Sequence, residues 1–381
     1  MAKFAPAGAV VSLTDAADFR RYDGPGNHRT DVTEQFNGGV SHEFGGRVKI
    51  HLDDSFALSQ EPTVIDPSIV TMPYRVEPGA FRNTGELDLT VGLTKDVDVY
   101  LGYENKEYFY EQNANSVVGY PFFAPASLHF PLASQDDALD RMEQLAEMEL
   151  RWKVSAKTTA ILGYKFRDTS YTGDGYVEYP YGPSYPYNIS EGGTSFSGRL
   201  SSFRNSEAHY GYAGVEESFN PNLTGAIRAG GEFVDYERAD TSRLSPYVDA
   251  NLTWRFLPGR EAQVGVKHLH NATDVVGIAP MPPVLDAETT AAYFSVGGKV
   301  AGNFTGSLMG QAQHSAFVGG GPNFNGKNED FGFVELSLGC HFTSWLLAET
   351  GCNYSRLTSD LPGREYTRNF AFLGVRGTWG R

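Results

Sequence analysis

The chain lacks the features that mark several large classes of protein. No run of about 18 or more apolar residues occurs along its 381 residues, which excludes transmembrane helices. Residues 1–6 contain no long apolar core, so no secretory signal peptide is visible. Lys and Arg number 31 against 46 Asp and Glu. The net charge of -15 argues against a nucleic-acid binder, whose binding face is normally basic.

Cysteine is nearly absent, with only Cys340 and Cys352 in the chain. The two residues flank a predicted turn near Ser344 at positions of equal parity, so we expect them on the same face of neighbouring strands. A disulfide formed in an oxidising periplasm is one interpretation. Two small apolar residues on an outer face is the other, and the sequence leaves both open.

Alternation of apolar and polar residues is what the chain has in abundance. It predicts strands that show one apolar and one polar face, because successive side chains of a strand point to opposite sides. The apolar face is clearest in the segment whose alternate residues are Leu244, Pro246, Val248, Ala250, Leu252, Trp254 and Phe256. Mean hydropathy is slightly negative, which a membrane barrel allows because lumen-facing residues dilute the apolar ones.

The connections between these strands alternate between short and long. Tight turns are predicted at 44–47, 93–96, 154–157, 220–222, 257–260, 301–303 and 342–344. Long loops, expected to be extracellular, are predicted near 59–82, 111–139, 171–204, 271–286 and 318–330. A meander with tight turns at one end and long loops at the other is typical of bacterial outer-membrane barrels.

We therefore predict an all-β fold, a single transmembrane antiparallel up-and-down β-barrel over residues 1–381. The expected number of strands is sixteen, within a range of fourteen to eighteen, and residues 1–31 form the first strand or an N-terminal extension. Soluble propellers and sandwiches also have many strands, but they do not need an apolar outer face on nearly every one. The predicted location is the bacterial outer membrane, with the chain as a mature form whose signal peptide has been removed.

Several segments resemble outer-membrane barrels of the putative β-barrel porin 2 type. The resemblance covers most of the chain from about Val32 onward and implies an outer-membrane barrel, sometimes associated with exopolysaccharide loci, with no catalytic residues. The last aromatic residue, Trp379, is followed by Gly380 and Arg381, whereas such barrels typically end on an aromatic residue. The resemblance lies in Ser245-Pro246-Tyr247, Thr253-Trp254-Arg255-Phe256, His270-Asn271-Ala272-Thr273-Asp274-Val275-Val276, Ser307-Leu308-Met309-Gly310-Gln311 and Ser359-Asp360-Leu361-Pro362-Gly363-Arg364.

Charged residues on the polar faces are predicted to line a lumen. Such side chains can select the ions that pass. They can equally pair across strands and stiffen the wall, and the sequence favours this second interpretation because no long stripe of one sign occurs. The predicted lumen charges are Glu86, Asp88, Asp98, Glu104, Arg151, Arg167, Arg228, Asp249, Arg255, Lys267, Glu335 and Arg376.

A tyrosine-rich loop and a histidine pair are the remaining candidate sites. The tyrosines are predicted either to contact a ligand such as a sugar or to pack on one another over the barrel mouth. His268 and His270 share the apolar face of one strand, and a metal site there would need further ligands. We expect the pair at the outer rim, and we expect neither a metal, a cofactor nor enzymatic activity. The loop tyrosines are Tyr176, Tyr179, Tyr181, Tyr185 and Tyr187.

The function predicted from these features is that of an outer-membrane porin or diffusion channel for small hydrophilic solutes or ions. One alternative is a polysaccharide export conduit that works with a periplasmic partner. Another is a closed structural or adhesive barrel that binds through its extracellular loops. The expected partners are outer-membrane lipid and lipopolysaccharide, the barrel-assembly machinery, and a polysaccharide or periplasmic export partner, but no nucleic acid.

Overall fold

A computed structural model of the chain describes residues 9–24, 27–59, 79–111, 138–173, 177–179, 199–278 and 282–380. Among these residues no helix is long and apolar enough to cross a membrane. Short 3-10 turns occur at Ser201–Arg204, Glu237–Ala239 and Gly321–Asn323. The strands are β1 Ala9–Gly24, β2 Asn27–Phe44, β3 Val48–Ser59, β4 Ala80–Gly92, β5 Val97–Tyr110, β6 Arg141–Lys153, β7 Thr158–Tyr171, β8 Glu178–Tyr179, β9 Ser206–Asn220, β10 Leu223–Tyr236, β11 Thr241–Leu257, β12 Arg260–Asn271, β13 Gly277–Ile278, β14 Val284–Ala301, β15 Phe304–Gly319, β16 Asn328–His341, β17 Leu346–Ser359 and β18 Tyr366–Gly380.

Sixteen of these strands form one closed antiparallel barrel, in which each strand pairs with the next barrel strand along the chain and β1 closes the sheet against β18. The two-residue strands β8 and β13 lie outside the barrel and pair with each other in parallel. The predicted up-and-down barrel of sixteen strands is confirmed. Of the two possibilities for residues 1–31, the structure has the first strand, which begins at Ala9.

The connections separate by length between the two ends of the barrel. All seven predicted tight turns lie at one end, called the turn end below. In the turn between β2 and β3, Gly45 and Gly46 have φ of 57° and 71°, a conformation that favours glycine. The other end, called the loop end, carries the long connections together with short ones at 25–26, 237–240 and 360–365. The connection expected at 318–330 is shorter than predicted, because β15 extends to Gly319 and β16 begins at Asn328.

The two faces of the barrel wall differ sharply in chemistry. Leu162, Leu308 and Leu336 share one face and remain 63%, 37% and 48% exposed. On the opposite face, Arg228 of β10 contacts Glu149 of β6 although two other strands lie between them along the sheet. A contact that skips two strands can only cross the interior of a closed barrel. The charged face therefore points inward and the apolar face outward, the alternation that a lipid-embedded barrel requires.

Both cysteines lie on the outward face, on neighbouring strands. Cys340 of β16 is opposite Ala348, whereas Cys352 of β17 is opposite Leu336. This offset along the strands separates the two sulfur atoms. A disulfide needs neighbouring Cβ atoms, so this register does not allow the bond. Both residues are free thiols, so the disulfide interpretation is wrong for this structure. The alternative, small side chains on the outer wall, describes them correctly.

Candidate functional site: the barrel interior and the loop cap

Inward-facing charges of β6, β9 and β10 form a compact network. Glu149 is 1% exposed and accepts hydrogen bonds from Arg228 Nε at 2.8 Å and Tyr212 Oη at 3.0 Å. Arg228 also reaches Glu216 Oε1 at 3.0 Å, and Arg151 contacts both Glu149 and Glu216. Each charge in this network has an opposite partner, which offsets the cost of removing it from water. Here the interior charges pair with one another across the strands of the wall.

A second network lies nearer the loop end. Glu232 is fully buried and accepts from Arg167 Nη2 at 3.1 Å, Tyr210 Oη at 2.6 Å and the backbone N–H of His270 at 3.0 Å. His270 Nδ1 lies 2.9 Å from Asp286 Oδ2.

The position of His270 corrects the sequence interpretation, which placed it at the outer rim beside His268. Pairing between β11 and β12 stops at Val248 and His268. Beyond that point the end of β12 is free of β11, and His270 is buried among interior residues. His268 contacts Thr290 at 2.7 Å and Glu288 at 3.0 Å instead. Within the described ranges, no group of three or more His, Cys, Asp or Glu could hold a metal ion.

The twelve predicted lumen charges all occupy inward positions of their strands, and most have a charged neighbour. Asp88 accepts a hydrogen bond from Tyr100 Oη at 2.6 Å, and Glu335 is 7% exposed on β16. Beyond the two networks, the ion pairs are Asp98–Lys153 at 2.7 Å, Glu104–Lys106 at 2.6 Å, Asp249–Lys267 at 3.7 Å, Arg255–Glu261 at 3.0 Å and Arg376–Asp18 at 2.8 Å.

The wall formed by β3, β4 and β5 is different, because three inward carboxylates stand directly opposite one another. Asp53 pairs in register with Glu86, and Glu86 with Glu104. Like charges in directly opposed positions repel and destabilise a sheet. Lys106 neutralises Glu104, which leaves an excess of negative charge at Asp53 and Glu86. These side chains are half-buried, as are Arg151, Glu216 and Arg228 of the first network, whereas Glu149, Glu232 and Asp286 are buried.

An apolar cluster, here called the loop cap, lies at the loop end. Its residues come from the connections that follow β5, β7, β12, β15 and β17, together with strand residues beside them. Because these connections arise from widely separated parts of the barrel circumference, the cluster lies across part of the mouth. Its buried members are Tyr110, Ala138, Leu139, Val177, Val275, Val276, Val284, Ala287, Phe317, Phe324 and Leu361.

Arg204 holds three of these segments together. Its guanidinium is 1% exposed and donates to four backbone carbonyls: Val284 O at 2.9 Å, Ala138 O at 2.8 Å, Thr273 O at 2.9 Å and Val275 O at 2.6 Å. Burial lowers the pKa of Arg204 from its ordinary value. The bonds to neutral carbonyls satisfy its donors and join the connections after β5, β7 and β12.

Arg364 anchors the same cap from the connection between β17 and β18. It donates to Asp274 Oδ1 at 2.6 Å and to Glu329 Oε2 at 3.2 Å, and all three side chains are buried. Burial opposes the charge of Arg364, but Asp274 and Glu329 outweigh it and raise the pKa of the guanidinium. The segment 273–275 is therefore held by two arginines from different connections.

Sequence reasoning missed most of the loop-end residues. Glu232 shares the parity of Arg228 on β10, so the alternation alone could have identified it. Arg204, Asp274 and Arg364 lie in connections, where no period indicates which side chains point inward. In the tyrosine-rich loop, Tyr176, Tyr181, Tyr185 and Tyr187 lie outside the described residues, as does the side chain of Tyr179.

A closed sixteen-strand barrel with a charged interior and an apolar outer face is a porin-like outer-membrane β-barrel, and the protein is a bacterial outer-membrane protein. Residues 186–378 match the family model described as Putative beta-barrel porin 2. That range is just over half of the chain, and the chain belongs to this family.

Several solved structures of outer-membrane barrels are similar to the chain at low sequence identity. A loop L8 deletion mutant of OmpT from Vibrio cholerae is 11% identical with a TM-score of 0.44, covering 98% of this chain and 100% of the other. OccAB2 of Acinetobacter baumannii is 11% identical with a TM-score of 0.42, covering 98% of each chain. A mutant of Rh. blastica porin is 10% identical with a TM-score of 0.37, covering 97% of this chain and 100% of the other. No curated protein matches the sequence.

Proposed function

We propose that the protein is a diffusion channel for small hydrophilic solutes or ions, with its turn end in the periplasm and its loop end outside the cell. The observation that carries the proposal is the charged inner face of a sixteen-strand wall whose outer face is apolar. A barrel of this strand number is wide enough to hold water along its axis unless loops fill it. The mechanism is diffusion through a hydrated lumen, with selection by size and wall charge.

The distribution of the interior charges supports a path for ions along the wall formed by β3, β4 and β5. The charges of the networks on β6 to β10 are paired with opposite charges, so they cancel one another and add little to ion selection. Asp53, Glu86 and Glu104 form an acidic strip that is half-buried and only partly neutralised by Lys106. A strip of negative charge favours cations over anions. We therefore propose a channel with a preference for small cations.

The loop cap supports a second candidate, a barrel whose mouth is closed and whose loops bind a ligand or a neighbouring protein. The cap is buried, and Arg204 and Arg364 hold it in place. If the protein is a channel, the same cap narrows the mouth of the barrel above the part of the wall that runs from β5 to β18. The two proposals differ in one measurable property, the passage of ions through the intact protein.

Single-channel recording in planar bilayers tests the proposal. We expect an ohmic conductance whose reversal potential in a potassium chloride gradient indicates cation preference. The double variant Asp53→Asn, Glu86→Gln should move the reversal potential toward zero and leave the conductance present. Glu217→Gln, which removes a carboxylate from the outward face of β9, is the matched control and should not move it. The absence of conductance at every voltage would contradict the channel and support the closed barrel.

A further inference from the structure

Two neighbouring strands of the barrel wall separate at the loop end. Pairing between β11 and β12 stops at Val248 and His268, although β11 continues along β10 to Thr241 and β12 continues along β14 to Asn271. The wall therefore contains a seam between these two strands. The exposed residues of the free edge of β11 are Ser242, Arg243, Leu244 and Pro246.

Pro246 explains where the pairing stops. Continuing the register by two residues places Pro246 opposite His270. Arg255 donates its N–H to Asn222 O on the side of β10. Because backbone groups alternate in direction along a strand, those of Pro246, an odd number of residues from Arg255, point toward β12. Proline has no N–H to donate there, so β12 loses its partner at the position where His270 would pair.

The ion pair between Arg167 and Glu232 takes up the backbone groups of His270 that face the seam. His270 N–H donates to Glu232 Oε2 at 3.0 Å, and His270 O accepts from Arg167 Nη1 at 3.3 Å. Arg167 Nη2 and Glu232 Oε1 are 3.1 Å apart. Both side chains project into the barrel, from β7 and β10, so they hold the end of β12 on the lumen side of the wall.

This end of β12 continues directly into the loop cap. Residues 269–278, here called the β12 extension, contain two of the four backbone carbonyls that Arg204 binds. They also contain Val275 and Val276, which are buried in the cap. The position of the β12 extension therefore decides how much of the cap lies across the mouth.

The contacts at the seam leave several buried polar atoms without a hydrogen-bond partner. Buried polar groups without partners destabilise the arrangement that contains them. The inward position of the β12 extension is therefore closer in free energy to an alternative position than the continuous wall is. Within the described residues, the four such atoms at the seam are Arg167 Nε, Ser245 Oγ, His270 Nε2 and Asp286 Oδ1.

We infer that the β12 extension is a movable element of the mouth, held inside the barrel by Arg167 and Glu232 and able to return to the wall beside β11. In the inward position the ion pair binds the backbone of His270, and the cap covers part of the mouth. In the outward position His270 pairs with the edge of β11, the cap loses the β12 extension, and the mouth widens. The two positions are populated according to their difference in free energy. Control of the mouth rests on the proposed channel, whereas the movement itself does not.

Disulfide trapping tests the movement. If the register of β11 and β12 continues, Leu244 lies opposite Ala272, a pair that does not form in the inward position. Leu244→Cys with Ala272→Cys should therefore form a disulfide from the outward position. The parent protein for this test also carries Cys340→Ala and Cys352→Ala, which remove the native thiols.

Removing the ion pair should favour the outward position. Arg167→Met with Glu232→Leu should speed disulfide formation by about tenfold or more, because the backbone of His270 loses both charged partners. Asp249→Leu with Lys267→Met is the matched control, since it removes an inward ion pair of β11 and β12 where they are still paired. The control should form the disulfide at the rate of the parent. An ion-pair variant no faster than the parent, or a control equally fast, would overturn the inference.

Pro246→Thr tests the same movement with the ion pair intact. Threonine restores the N–H that proline lacks and is favoured in strands, so the edge of β11 can compete with Arg167 and Glu232 for His270. Disulfide formation should again be faster than in the parent. An unchanged rate would contradict the inference.

Conductance in planar bilayers separates the movement from the channel. The oxidised cysteine pair should conduct more than the reduced pair, because the disulfide holds the β12 extension in the wall. Faster disulfide formation in a protein that never conducts would contradict the channel and support the movement. Equal conductance in the oxidised and reduced protein would show that the β12 extension does not control the mouth.

Discussion

Replacing Arg204 with methionine should release the loop cap while leaving the barrel folded. Methionine retains much of the length and apolar contact of the arginine stem but none of its donors. The carbonyls of Ala138, Thr273, Val275 and Val284 then lose a buried partner. The sixteen-strand ladder does not depend on Arg204, so the effect should be confined to the cap.

The expected size of the effect follows from the number of bonds lost. A hydrogen bond to a charged donor contributes about 1.5–3 kcal/mol, and the four bonds share one guanidinium, so their sum overstates the loss. The variant leaves neutral carbonyls without a donor, and each buried carbonyl without a partner costs about 1–3 kcal/mol, so we take about 3–4 kcal/mol for the site as a whole. Since about 1.4 kcal/mol is a factor of ten, protection against local opening should fall by about a hundred- to a thousandfold.

Hydrogen exchange measured by mass spectrometry reports this opening. The informative amide is that of Gly277, which donates to Val177 O at 3.1 Å and joins two of the capped connections. Arg238→Met is the matched control, because within the described residues Arg238 is exposed and its hydrogen bond is to the Ser202 hydroxyl. Exchange at Gly277 that is unchanged within about twofold in Arg204→Met would refute the role given to this arginine.

Two further predictions concern the cap and the outer wall. Arg364→Met leaves the buried carboxylates of Asp274 and Glu329 unpaired, which should make the connection at 360–365 sensitive to protease at about pH 8. Lowering the pH to about 5 should restore resistance to the protease, since burial without a cation favours the protonated carboxyl. Equal sensitivity to the protease at both pH values would contradict this reasoning. Leu336→Arg on the outward face of β16 should reduce the free energy of unfolding in lipid vesicles by about 2–4 kcal/mol, whereas Ser337→Arg, one residue along and inward, should cost much less. Denaturant titration measures both, and equal losses would show that the assigned faces are wrong.

Local sequence was sufficient for the wall of the barrel. The period of two along β11 and β16 determined which residues face outward, because a slip of one residue would expose every charge to lipid. The lengths of the connections indicated which end of the barrel carries the tight turns and which end carries the long loops.

Features that combine distant segments were decided only by the tertiary structure. The register between β16 and β17 separated Cys340 from Cys352, although both lie on one face. The end of pairing between β11 and β12 let His270 turn into the interior. Arg204 meets carbonyls that lie 66 to 80 positions away along the chain, and Arg364 meets carboxylates 35 and 90 positions away, at contacts that no local period encodes. The sequence by itself determined a membrane barrel with its two faces and two ends. Only closure of the sheet decided which charges pair across the interior and which loops meet, because those contacts connect segments that are distant along the chain.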